Sequence, residues 1–166
     1  MLTRIAGIFS VAILSVALMS CASQPTTQQA SPAMPAENGI VVAKSRYAMG
    51  ETLAHLKQDI AAKGLMFFQA VDQSQLAGAA GVELRPSTLL EFGNPGLGGQ
   101  FMTSNPQSGI DWPVRLLVFQ DQNGRVWVEY TDFAYIAKRH AIADRDPQFK
   151  MASEVIASIA SSVTAQ

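Results

Sequence analysis

Two sets of residues in this 166-residue chain are equipped for chemistry. One is its single cysteine, Cys21, which closes the run Leu18-Met19-Ser20-Cys21 directly behind an apolar stretch. The other is a group of charged and amide side chains, Glu83, Arg85, Glu91, Asn94, Asp111 and Arg115, gathered around a glycine-rich segment. The cysteine reads as a lipoprotein processing site, with the leader cut before Cys21 and the thiol then acylated. A thiol used that way is no nucleophile, redox centre or metal ligand. A plain signal peptide cut near Ala22 and a retained anchor are the competing readings. Arg4 supplies the positive end of the leader and Ile5 to Met19 its apolar part, shorter than the about 20 residues a spanning helix needs.

The second set suggests binding. In Gly93-Asn94-Pro95-Gly96-Leu97-Gly98-Gly99, backbone amides could cradle a phosphate or carboxylate. No Lys-Ser/Thr pair follows, so it is not a Walker loop, and a tight chain reversal is the plainer reading. Arg85, Glu91, Asn94, Asp111 and Arg115 are the candidate ligand-binding residues. Converging, the two arginines would hold an anion bidentately; pairing with the acids, they would only lock the loops. No catalytic residue is assigned. His55 falls off the apolar face of its helix and is expected in solvent, and His140 follows Lys138-Arg139. Neither stands at ligand spacing to another histidine, so no metal site and no cofactor is expected. The methionines are scattered and read as core or linker residues.

The elements that must position these groups are legible from periodicity. Gly39 to Tyr47, Leu65 to Val71, Ser87 to Phe92, Arg115 to Asp121 and Arg125 to Thr131 read as strands, the last two joined through Asn123-Gly124. Met49, Leu53, Leu56 and Ile60 define one long helix, ended by Gly64. A second begins at Asp146-Pro147, with Asp146 as its cap and Ala152, Val155, Ile156, Ile159 and Val163 inward. Ser74 to Gly81 and Phe133 to Arg139 are short helical pieces. The expected fold class is α+β: a largely antiparallel sheet of about five strands packed by two long helices. Trp127, Glu129 and Thr131 fall on one hairpin face and Val126, Val128 and Tyr130 on the other. Leu116 and Val118 alternating with Leu117 and Phe119 make both faces rather apolar, so the second face needs a cover. A helix of the same domain is its first expected cover, a partner copy the second and a hydrophobic ligand the third.

Composition bounds the partners. The net charge is −1, and loss of Arg4 with the leader makes it −2. That leaves no basic footprint for nucleic acid. Residues 1–20 form the expected signal peptide, and 21–38 the lipidated Cys21 with a flexible Ala/Ser/Thr/Gln/Pro tether. As a coil that tether would reach about 20–25 Å. Residues 39–166 form a single domain. Ala22 and Ser23, with no Asp beside the cysteine, resemble lipoproteins sorted to an outer membrane. The expected address is therefore the cell envelope, facing the periplasm if there are two membranes.

Within the domain, Arg85-Pro86, Glu91-Phe92-Gly93-Asn94-Pro95, Asn105-Pro106, Asp111-Trp112-Pro113 and the hairpin ending in Tyr130 resemble the bacterial domain-of-unknown-function family numbered 302. The resemblance extends over about Val41 to His140. Many members carry a His after the Asp of the second strand; here Asp72 is followed by Gln73, so no role passes to that position. The resemblance implies a compact α+β domain, often dimeric, with helices over one sheet face, and it implies no activity. The functional expectation is a membrane-anchored envelope lipoprotein that binds a small ligand or a protein, with membrane contact through acylated Cys21 and a homodimer as partner. The alternative is an enzyme acting on an anionic small molecule through the loop cluster. Mass analysis of the mature amino terminus should find acylated Cys21, and globomycin should block processing. An unmodified terminus at Ala22 or beyond would overturn the anchor.

Overall fold

The computed structural model describes residues 37–164. The leader, Cys21 and nearly all of the expected tether lie outside the described residues. Strand β1 (Ile40–Lys44) leads to helix α1 (Met49–Ala62), then β2 (Met66–Asp72) and a short α2 (Gln73–Ala79). Next come β3 (Ser87–Gly93), α3 (Pro95–Ser104) and a 3-10 turn (Pro106–Asp111). The hairpin β4 (Val114–Gln120) and β5 (Val126–Thr131) precedes α4 (Phe133–Arg139) and α5 (Asp146–Ser161). All five strands join one antiparallel sheet in the order β1-β5-β4-β3-β2. The α+β class expected from the sequence is the one observed.

Strand alternation sorts the sheet into two faces. Val41, Tyr130, Leu116 and Leu90 align across four strands and are all buried. They pack under α1 and α5, whose Leu56, Ile60, Ile156 and Ile159 complete the core. Phe101 of α3 stacks on Phe149 of α5 with centroids 4.1 Å apart, which ties the third helix into the same core. Truncating a fully buried member such as Leu116 to Ala would cost about 2–5 kcal/mol. Among the described residues the buried apolar core runs from Val41 to Val163.

Local chemistry sets the element ends. Helix α1 closes in a Schellman motif: Gly64 takes φ +66, its amide bonds Ala61, and the Leu65 amide reaches back to Ile60. Its buried face is Thr52, Leu56 and Ile60, with Met49 and Leu53 only partly covered. Thr52 is accepted inside because its hydroxyl lies 2.7 Å from that of Ser45 and donates to the Ala48 carbonyl. Asp146 does not cap α5. It is the first helical residue, after an Arg145 that makes no side-chain capping bond. There its charge still faces the positive end of the helix. Among the sheet's irregularities, β2 bulges between Phe67 and Gln69, and Ser45 pairs with Thr164 beyond the end of β1.

The glycine-rich segment is a helix and not a chain reversal. Asn94 caps α3, its Oδ1 accepting from the Leu97 amide at 3.1 Å, and Pro95 occupies the first turn. A Cβ on Gly98 would stand 2.2 Å from Trp112 Nε1. That glycine is therefore demanded by the indole packed on the helix.

The β4–β5 hairpin turns at Asn123-Gly124 around one carboxylate. Asp121 accepts from the amides of Asn123 and Arg125, from Arg125 Nε at 2.7 Å and from the Trp127 indole at 3.0 Å. Desolvation pushes this carboxyl up, but the bonds from Trp127, Arg125 and Asn123 outweigh it and hold it well below the usual carboxylate range. A depressed folded value gives stability that is present above the ordinary carboxylate pKa and lost as pH falls toward the folded one. Asp121→Asn should therefore melt lower than the parent at pH 7, with the gap closing as pH drops below about 4. A pH-independent difference in Tm would refute this assignment.

Candidate functional site

Asp111, at the end of the 3-10 turn, is the hub of the polar cluster. Its side chain is 6% exposed, and His140 Nε2 lies 2.6 Å from its Oδ2. Arg139 Nη1 approaches its Oδ1 at 3.2 Å, and Arg115 stands 3.7 Å away. Arg115 also donates to the Ile110 carbonyl at 3.0 Å. Asn105 holds the other side, accepting from the Gln107 amide and donating to the His140 carbonyl at 2.9 Å. His140 is the C-cap of α4, where a ring able to carry positive charge suits the helix end. The cluster thus clamps the 3-10 turn to the end of α4. The hollow beside it, bounded by Asp111, Arg115, Thr131, Phe133 and Ile136, measures about 20 Å³. That is room for one water molecule and not for a substrate.

The other sequence-predicted residues divide among three places. Glu91 lies cross-strand from Arg115 and accepts from Gln69 Nε2 at 2.7 Å, so Glu91, Asp111 and Arg115 are brought together. Asn94 is the cap of α3. Arg85 precedes β3 while Glu91 lies near its far end, a separation of about 20 Å at 3.4 Å per residue. Arg85 is exposed and shares a hollow with Glu83 and Arg125 near the hairpin turn. The two arginines therefore do not converge on one anion. His140 escaped the sequence reading because its partner is 29 residues away. The basic run Lys138-Arg139-His140 at a helix end was the available signal that an acid must face it. His55 is exposed, as its position off the apolar stripe predicts, and stacks on Tyr47.

The second sheet face is the other surface of interest. Val42, Glu129, Leu117, Leu89 and Val71 align across all five strands, flanked by Trp127 and Phe119. Neither long helix lies over this row; the short α2 reaches its edge, where Gln73 accepts from the Ser87 hydroxyl at 2.8 Å, and Val71, Leu89 and Leu117 are part-buried while Val42 is 40% exposed. Both long helices lie over the opposite face, with Val41, Leu90, Leu116 and Val128. Leu84 and Val82 border the open face and are 47% and 58% exposed. A hollow of about 340 Å³ lies between Leu84, Arg85, Leu117, Phe119 and Glu129. Desolvation among these neighbours raises the Glu129 carboxyl above its ordinary value.

The family described as Domain of unknown function DUF302 matches residues 41–164. The chain belongs to the DUF302 family. A crystal structure of an uncharacterized conserved DUF302 protein from Bacillus stearothermophilus superposes with a TM-score of 0.69. It covers 75% of this chain and 98% of that one at 16% identity, a likeness of fold. In sequence, the DUF302 chain is 34% identical over 106 residues to the fluoride-specific ion channel FluC 1 of Brucella suis biovar 1 (strain 1330). The match takes in 64% of this chain and 42% of that protein. FluC 1 of Brucella abortus biovar 1 (strain 9-941) is equally identical, with 39% of its length matched. The chain thus spans about two fifths of the curated relatives it matches. Among the described residues no helix is long and apolar enough to cross a membrane.

The clamp reading makes a contrast between two of the predicted residues. Asp111→Ala leaves His140 and two arginines without their shared acceptor and should lower unfolding free energy by about 2–3 kcal/mol. Arg85→Ala, exposed and unpaired with any acid among the described residues, should change it by less than about 0.5 kcal/mol. Urea unfolding at constant m measures both. Equal losses would mean that Asp111 is no hub.

Proposed function

We propose that this chain is an envelope lipoprotein whose DUF302 domain is a protein-binding module, held at a membrane by acylated Cys21 and docking through its open sheet face. The observation that carries this reading is the apolar row Val42, Leu117, Leu89 and Val71, aligned across the sheet on the side away from both long helices and still part-exposed. An antiparallel face meant for solvent would alternate to polar residues there, and a contiguous apolar patch of this kind marks an interaction surface.

A second copy of the domain is the partner favoured. A two-fold interface needs one surface that complements itself. This face presents Arg85 and the half-buried Glu129 around one apolar hollow, so each charge on one copy has an opposite charge to meet on the other. The membrane address is supported by the leader pattern and by the relatives. In proteins named as fluoride-specific ion channels, a segment similar to this chain is part of a membrane protein. Fluoride conduction itself is not part of the proposal. The separation of Arg85 from Asp111 and Arg115 favours binding over the enzyme reading.

Sedimentation equilibrium on residues 37–164 should show a reversible dimer. Leu117→Asp puts like charges together at the centre of the face and should weaken the dimer by about tenfold or more. Helical content should be retained, since Leu117 is outside the core. A strict monomer at high concentration, or a dimer indifferent to Leu117→Asp, would sink the self-docking reading.

A further inference from the structure

On the helical side, away from the open sheet face, the structure holds a second concavity. We propose that it binds a small monocarboxylate with an apolar body. A cavity of about 190 Å³ opens where β3 ends and β4 begins, between α5 and the first turn of α3. Phe92, Phe133 and Ile156 form its floor, and Leu65, Leu97 and Val155 its walls. The floor side chains are buried, the walls are partly covered, and Met151 at the rim is 54% exposed. A flexible methionine that stays in solvent beside an apolar hollow leaves that hollow available to another apolar group.

Size and polarity limit what fits. An apolar cavity of about 150 Å³ stays dry and accepts benzene, so this one suits a body of about six to eight carbons. A long acyl chain would protrude. The polar side chains lining the cavity are Lys63 and Asn94. Asn94 has its Oδ1 committed to the Leu97 amide, which leaves its Nδ2 donors. The Lys63 ammonium stands 3.5 Å from Asp59 Oδ2, and that oxygen accepts no hydrogen bond. Lys63 therefore keeps donors free for a further acceptor. The two polar side chains that line the mouth offer donors over an apolar floor, which selects a ligand with an acceptor head, and the Lys63 cation, shared with Asp59, favours a carboxylate over an alcohol. The site is independent of the sheet-face reading, since none of its residues belongs to that face.

The test uses residues 37–164, which span every core residue among those described, with octanoate and octan-1-ol below their aggregation limits as probes. Calorimetry should give saturable one-to-one octanoate binding, and methyl resonances of Leu65, Leu97 and Val155 should shift. Val155→Phe fills the cavity from a partly exposed wall and should weaken octanoate by about tenfold or more. Lys63→Gln should weaken octanoate by about fivefold or more and leave octan-1-ol within about twofold. If Val155→Phe fails to fold, the exposed Lys63→Gln and the methyl shifts decide alone. Unsaturable binding, shifts that map to Leu117 and Phe119, or equal losses of acid and alcohol in Lys63→Gln would overturn the proposal.

Discussion

A five-stranded sheet has two faces, and among the described residues the long helices cover one. The long helices α1 and α5 both lie over the side carrying Val41, Leu90, Leu116 and Val128, and the aromatic stack of Phe101 on Phe149 brings α3 to the same side. Burial of apolar area is the dominant favourable term in folding, and the covered face is the one whose strand residues mesh with the apolar stripes of α1 and α5. Much else follows from that asymmetry. The helices crowd one end of the sheet and leave a cavity between them, and the opposite face is left to Leu117, Leu89 and Val71.

The two polar hubs serve this arrangement at its margins. Asp121 organises the hairpin that aligns β4 with β5, using bonds from backbone, guanidinium and indole at once. Asp111 does the same for the long excursion between β3 and β4, drawing the 3-10 turn onto the end of α4 through His140. Exposed arginines at 3–4 Å contribute little singly. A carboxylate that is nearly closed to solvent with an imidazole on it contributes more, because neither group has water to fall back on.

Much of the fold could be read from the chain because its signals are local. The stripe of α1, the apolar positions of α5 and the Asn123-Gly124 turn all fall within short windows. Helix α3 could not be read that way. Gly96, Gly98 and Gly99 have poor helix propensity, and what overrides it is tertiary: the Trp112 indole needs Gly98, and Phe101 needs the core. The polar cluster was half legible. Arg115 meets Asp111 at 3.7 Å and lies cross-strand from Glu91, because β3 and β4 pair in register. Arg85 does not join them, since nearness in sequence becomes distance along an extended strand. The Asp111–His140 pairing depends on how α4 packs, which no window of sequence reports. Cys21 and its tether rest on the leader pattern alone.

The two rims of the sheet have a consequence for how such domains gather on a surface. Crowded β proteins are at risk of adding strands edge to edge, a route that ends in open-ended aggregates. Here the β2 rim is broken by its bulge at Phe68, whose ring stands against Trp112, and the β1 rim continues into the Ser45 pairing with Thr164. Both rims are thus blunted against a running ladder. In the face-to-face dimer proposed above, association stops at a pair, so a dense layer of such dimers would count in twos and not grow into fibres.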